Sequence, residues 1–297
     1  MRRIAALTAS LACAITLSSP FAQTKESSTR HFLWTVRSAA AGAPTYLLGS
    51  LHVLTPDFYP LAPAIEEAFK QSKVLIEEVD MDDLTNPSTL MPLLAKAVYL
   101  DGRSLETAIS PELYKSVLAR AEKAGVPAQA LQRMKPWMAA VSLTAPALKT
   151  AGFHAELGID RHFFDRAKAA GLERRALETV AYQFDRFDEM PAPLQEAMLR
   201  SVLIDLDTQL ANVKSIAEAW RRGDTAGIEK DLLAAFLETP ALYERLLVER
   251  NRNWVAPVEA CVKNGEACFV VVGAAHLVGP QSLVSLLREK GYAVEQQ

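Results

Sequence analysis

"TYLLGSLHVL", residues Thr45 to Leu54, runs through aliphatic and β-branched residues to Gly49 and then sets an imidazole three positions on, at His52. A short apolar run closed by glycine reads as a buried strand. Near the other end of the chain "FVVVGAAHLVGP" repeats the layout, with Gly273 and His276. In an open α/β sheet, chemistry collects just beyond the carboxyl ends of the strands. Each glycine permits a tight exit and a close approach of the backbone, which aims the histidine over the sheet edge. If the two strands are neighbours, His52 and His276 face one crevice although 224 positions separate them.

Outward from these motifs the text alternates. "FLWTVRS" and "TYLLGSLHV" predict a hairpin around Ala41-Gly42-Ala43-Pro44. "APAIEEAFKQS" predicts an amphipathic helix, and "KVLIEEVDM" a strand with carboxylates at its end. From about 84 to 257 the pattern is mainly helical. In "SPELYKSVLARAEKAG", Ser110 stands as N-cap, Pro111 at the first helical position and Gly125 just past the end. "RHFFDRAKAAG" predicts another helix and "ERRALET" a short strand. "LQEAMLRSVLIDLDTQLANVKSIAEAWRRGD" and "TPALYERLLVERNRNWVAPVEACVKNG" read as further amphipathic helices. "CFVVVGAAHLV", "GPQSLVSLLREKG" and "YAVEQ" return to strand, helix, strand. The expected fold is α/β: a parallel or mixed central sheet from the N- and C-terminal segments, with a large helical insertion over about 84–257.

Residues 1–22, "MRRIAALTASLACAITLSSPFA", have basic Arg2 and Arg3, an apolar run to Leu17 and a small-residue end: the layout of a signal peptide. The working domain is then 23–297, exported to the periplasm or secreted. Without Arg2 and Arg3 it carries 30 basic against 35 acidic residues, a net of −5. That charge gives no reason to expect nucleic acid, and no later stretch is apolar enough to span a membrane. Cys261 and Cys268 flank Asn264-Gly265, a turn signal that brings the two sulfurs together, so a disulfide is expected in an oxidising compartment.

Imidazole is the commonest metal ligand, and two imidazoles with a carboxylate form a catalytic metal set. "LIEEVD" supplies the acid. Glu78 and Asp80 are expected on one strand face, with Glu77 opposite. The expected assignment is Glu78 as ligand beside His52 and His276, with Asp80 orienting a histidine or taking a proton. The competing reading keeps both histidines as hydrogen-bonded loop residues. His31, His154 and His162 lie outside the pattern, and the chain has no His-Glu-x-x-His helix, Gly-x-Ser-x-Gly elbow or P-loop.

"FLWTVRS…TYLLGSLHVL…FYPLAPAIEEAFKQSKVLIEEVDM", "LGIDRHFFDRAKAAG…LET", "LLVERNRNW" and "VVVGAAHLVGPQSLVSLLREKGY" together resemble the TraB/GumN family, which is related to the Tiki proteins and more distantly to ChaN-like and erythromycin-esterase-like proteins. The resemblance covers nearly the whole of 23–297 and is strongest at the two Gly-x-x-His motifs. It implies a metal-dependent protease site using manganese or cobalt, at His52, His276 and Glu78. It also implies an arginine at Arg250 with Asn251 beside it, and acidic positions at Asp160 and Glu178. Arg250 would hold a substrate carboxylate or an oxyanion; its plain alternative is a helix-surface ion pair with Glu249 or Glu244. Asp160 and Glu178 have helix capping or arginine pairing as theirs.

The reading is therefore an exported metal-dependent hydrolase, most simply a peptidase, with Mn, Co or Zn and a peptide or small-molecule substrate. A different class is a non-hydrolytic ligand- or haem-binding envelope protein of the ChaN-like fold. A third is an interaction protein that works through its helical middle.

Overall fold

The structure is a computed structural model, and it describes residues 30–38, 42–203 and 206–297. Residues 1–22, where a signal peptide is expected, and the Ala41 end of the first turn lie outside the described residues. Six strands form one sheet: β1 (Leu33–Arg37), β2 (Thr45–Ser50), β3 (Val74–Glu77), β4 (Glu173–Ala176), β5 (Cys268–Gly273) and β6 (Ala293–Gln296), in the order β4-β3-β5-β2-β1-β6. β4, β3, β5 and β2 run parallel, while β1 pairs antiparallel with both β2 and β6. The sheet is mixed, and its central strands come from the two ends of the chain.

Helix α1 (Pro63–Gln71) precedes β3. Between β3 and β4 lie α2 (Pro87–Lys96), α3 (Leu105–Ala108), α4 (Pro111–Lys123), α5 (Ala128–Leu131), α6 (Pro136–Thr150) and α7 (Ile159–Ala170). After β4 come α8 (Val180–Asp188), α9 (Ala192–Ser201), α10 (Leu206–Arg221), α11 (Thr225–Ile228), α12 (Ala234–Leu237), α13 (Pro240–Tyr243) and α14 (Glu249–Asn264). Helix α15 (Leu283–Glu289) joins β5 to β6.

The parallel strands are apolar throughout because both sheet faces are covered. On one face Phe269 of β5 meets Phe69 of α1 at 5.5 Å and Phe163 of α7 at 4.8 Å between ring centroids. Alternation turns Cys268 to the other face, where it is joined to Cys261 of α14. The insertion has a core of its own, in which Leu105, Leu113, Val117, Leu131, Leu143 and Leu199 are buried together.

Three local expectations change, and a fourth is met in another form. Strand β3 stops at Glu77, so Glu78 and Asp80 do not share a strand face. The long helix expected over 194–224 is two, α9 and α10. Ser110 sits at the N-cap of α4, but its hydroxyl donates to Glu196 rather than capping. Asn264-Gly265 turns the chain and lets the two sulfurs meet as expected, but it does so as the left-handed end of a helix, Gly265 having φ +64°.

Candidate functional site

The register of the sheet builds the site. Ser50 of β2 stands beside Gly273 of β5, and Glu77 of β3 beside Val271. The next residues of these strands therefore leave the sheet at one edge: His52 after β2, Glu78 after β3, His276 after β5. Pairing continues past β4, where Glu178 N–H donates to Glu78 O at 2.9 Å, so Glu178 follows β4 to the same edge. Four carboxyl strand ends, drawn from sequence positions far apart, carry four candidate side chains.

Glu78 is buried and fully engaged. Its Oε1 accepts from Gly273 N–H at 2.7 Å, and its Oε2 accepts from Arg250 Nη2 at 2.6 Å and Gln183 Nε2 at 3.0 Å. Burial alone would raise its pKa; Arg250, His276 and His52 outweigh it and hold the group at about 2.

The histidines are each oriented from behind. Asn251 donates from Nδ2 to Gln281 O at 2.8 Å, which turns its Oδ1 toward His276 Nδ1 at 2.6 Å. The proton is therefore on Nδ1, and Nε2 is an acceptor. Burial pushes the His276 imidazole down to about 3. His52 Nδ1 meets Asp160 Oδ2 at 3.0 Å, and its ring keeps 64% of its side-chain surface open. The Asp160 charge raises His52 to about 9, against the effect of desolvation.

Arg250, on the first turn of α14, is the hub. Its Nε donates to both Glu178 oxygens at 3.1 and 3.2 Å, and its Nη2 to Glu178 Oε1 at 2.7 Å. Its Nη1 donates to Leu246 O at 3.0 Å and lies 3.1 Å from His276 Nε2. Trp254, one turn on, places its ring 4.6 Å from the guanidinium and donates from Nε1 to Glu178 Oε2 at 3.1 Å. The surface pairings expected for Arg250 are absent: Glu249 pairs with Arg186, and Glu244 with Arg252.

Gly273 lies at the centre. A Cβ built there would sit 3.2 Å from Glu78 Oε1, 3.5 Å from His276 Cδ2 and 3.9 Å from His52 Nε2. A bare backbone thus keeps open a small space bordered by Glu78 Oε1, the Cδ2 edge of His276 and His52 Nε2. Gly49 serves packing, since a Cβ there would meet the Phe32 ring at 2.3 Å.

Asp80 is not part of this arrangement. It is exposed, and its Oδ1 accepts from Asp82 N–H in the turn after β3. Asp160, read from the sequence as a helix cap or arginine partner, holds His52 instead. Gln183 and Trp254 belong to the cluster and were not singled out from the sequence. Trp254 had a signal, four residues after Arg250 on one helix face; Gln183 had none. Among the described residues, Cys261, Glu266 and Cys268 are the one trio of ligand-type side chains with donor atoms all within 4.8 Å of one another, but the two thiols form a disulfide and are not free to bind an ion. The donor atoms of His52, Glu78 and His276 are spaced more widely than that.

Over the cluster lies a cavity of about 520 Å3, walled on the helical side by apolar residues including Phe187, Met198, Val202, Leu232, Phe236 and Leu246. That volume is within the ordinary range for ligand sites, about 300–1,000 Å3. A second cavity of about 450 Å3 shares Met198 and Val202 with it. No helix among the described residues is long and apolar enough to cross a membrane.

The chain is similar to the proteins named YbaP of Shigella flexneri and Escherichia coli, each 25% identical over 82% of this chain and covering 88% and 87% of the relative. It is also similar to metalloprotease TIKI2 of Danio rerio, 23% identical over 89% of this chain and 60% of that protein. No solved structure is a significant match. Matched from residue 32 to residue 296, the chain belongs to the TraB/PrgY/gumN family.

Proposed function

We propose that this chain is an exported metal-dependent hydrolase, a peptidase, whose divalent ion is held by His52, Glu78 and His276. The observation that carries the reading is the space at Gly273, closed in by Glu78 Oε1, the His276 ring and His52 Nε2. Two imidazole nitrogens and a carboxylate oxygen suit Mn, Co or Zn. When bound, such an ion supplies Lewis-acid activation of a carbonyl and of water.

The chain's own groups do the rest. Asp160 and Asn251 engage the Nδ1 atoms, in the manner of second-layer partners in metal sites, and so leave Nε2 of each histidine as the ligand atom. That of His52 borders the space, and that of His276 lies 3.1 Å from Arg250 Nη1. With Asp80 outside the cluster, Glu78 Oε1 is the carboxylate oxygen that faces the space. It alone among these acids is positioned to ligate the ion. Arg250 supplies a fixed positive charge at the same edge, where an oxyanion develops. The apolar cavity wall receives a hydrophobic side chain next to the bond that is cut. Peptide as substrate is supported by the names of the TIKI1 and TIKI2 relatives, both metalloproteases. Export is supported by the signal-like segment at 1–22 and by the Cys261–Cys268 disulfide.

The test is elemental analysis of the protein from Gln23 onward, purified without chelator, beside the double variant His52→Ala, His276→Ala. Near-stoichiometric Mn, Co or Zn is expected, lost in a variant that stays folded, together with cleavage of a fluorogenic peptide library. A wild type that neither retains nor takes up a divalent ion overturns the reading in favour of a non-hydrolytic carrier of apolar ligands.

A further inference from the structure

Arg250 and a metal ion would compete for His276 Nε2 and for the charge of the Glu78 carboxylate. His276 has its Nδ1 proton committed to Asn251, so the Arg250 Nη1 hydrogen bond at 3.1 Å uses the Nε2 lone pair. That lone pair is the one a metal needs. Glu78 Oε2 is likewise taken by Arg250 Nη2 at 2.6 Å. A guanidinium is always charged, and two cations cannot share these groups without strong repulsion in a buried site.

The remaining contacts of Arg250 touch neither Glu78 nor His276. Nε and Nη2 form a fork on Glu178, and Nη1 also holds Leu246 O. Glu178 is itself fixed, with its side chain 5% exposed and Trp254 Nε1 on its second oxygen. Paired carboxylate, carbonyl and aromatic face together make a complete seat for a guanidinium.

We propose that Glu178 is the positioning residue that retains Arg250 when a divalent ion takes Glu78 Oε1 and His276 Nε2. The cluster is then an exchange site. Arg250 is divided between Glu78 and Glu178. On loading it gives up His276 Nε2 and loses much of its hold on Glu78, keeps its paired hydrogen bonds to Glu178, and does not become a buried unpaired charge. Glu178 thereby sets the metal affinity without being a ligand. This rests on the metal reading above.

The test is Co(II) affinity, followed by visible absorption on the full chain from Gln23, for wild type, Glu178→Gln, Glu178→Asp, Arg250→Gln and the double variant Glu178→Gln, Arg250→Gln. Glu178→Gln is expected to weaken Co(II) binding at least tenfold, because Arg250 then has only Glu78 as a carboxylate partner. Glu178→Asp restores most of that loss, which a role in packing alone would not produce. In the Arg250→Gln background the Glu178 substitution no longer weakens binding, since the competing cation is gone. If Arg250→Gln fails to fold, the Gln-against-Asp contrast at Glu178 decides alone. Affinity within twofold of wild type in Glu178→Gln, or an equal loss in both Arg250 backgrounds, overturns this inference while leaving the metal reading intact. A wild type that binds no Co(II) ends both.

Discussion

Gly273 adopts φ −50° and ψ 138°, a backbone open to any residue, so its lack of a side chain matters for space and not for conformation. Gly273→Ala therefore isolates one variable. The fold should persist with a somewhat lower urea midpoint, because the new methyl group sits a tight 3.2 Å from Glu78 Oε1, which must shift by a few tenths of an ångström, and in ordinary contact with the histidine rings. Divalent-ion affinity should fall at least tenfold, because the methyl group occupies the space between Glu78 and the histidines. Wild-type affinity in the folded variant would show that the ion does not sit there. At this scale the motif glycine and its histidine were legible, since strand, glycine and imidazole are adjacent in the chain. Gln183 was not: its amide reaches Glu78 across 105 positions, and nothing in its neighbours marks it.

Among elements, the contact that positions His52 is between a loop and a helix start. Ile159 N–H donates to Leu51 O at 3.0 Å, and a Cβ on Gly158 would lie 2.5 Å from His52 O. The backbone after β2 and the N-terminus of α7 thus touch, which brings Asp160 of the first helical turn to the His52 ring. Gly158→Ala would press a methyl group onto rigid backbone and should cost about 1–3 kcal/mol, the usual range for overpacking. Urea denaturation measures it, and a loss under 0.5 kcal/mol, within the usual range of surface changes, would mean the loop yields freely. The body of α7 was legible from "RHFFDRAKAAG", whose apolar residues recur at helical spacing and whose Gly171 has φ +65°. Its docking against β2 was not, because a glycine before a helix looks the same whether it caps or makes room.

At the scale of the whole molecule, the site places opposed ionisable groups inside one sheet edge, and stability should register them. Glu77 points away from the cluster, buried and with Oε1 unpartnered, and burial followed by Asp160 pushes its carboxyl to about 9. His52 is raised to about 9 as well, but its ring is 64% exposed, so solvent screens most of its contribution and Glu77 dominates the slope. A group whose folded pKa is raised contributes stability below its unfolded value that is lost as pH rises through the folded one. For Glu77 that window runs from 4.5 to about 9, and for His52 from 6.5 to about 9. Glu78 and His276 are shifted down, so their contributions change only below 4.5 and 6.5 respectively. The metal-free protein should therefore lose stability steadily between pH 6.5 and 9, and Glu77→Gln should flatten part of that slope. Urea unfolding across the window checks it; an unchanged slope in Glu77→Gln would place the Glu77 carboxyl outside this balance.

What the sequence by itself determined is local. Apolar runs, glycine exits and helix ends follow from neighbours along the chain, and they sufficed for an α/β fold with a helical insertion and for the two Gly-x-x-His motifs. The Cys261–Cys268 pairing belongs with these, since only seven positions separate the sulfurs. What the tertiary structure decided is which strand ends meet. Strand order sets Glu178, Glu78, His276 and His52 side by side, and it removes Asp80, because β3 ends at Glu77 and the chain turns outward. It also makes Arg250 a buried hub instead of a surface charge, held by two carboxylates from different strands. Those pairings join residues 72 and 172 positions apart. Their energy comes from desolvation and geometry created only when the sheet closes, so no local pattern encodes them.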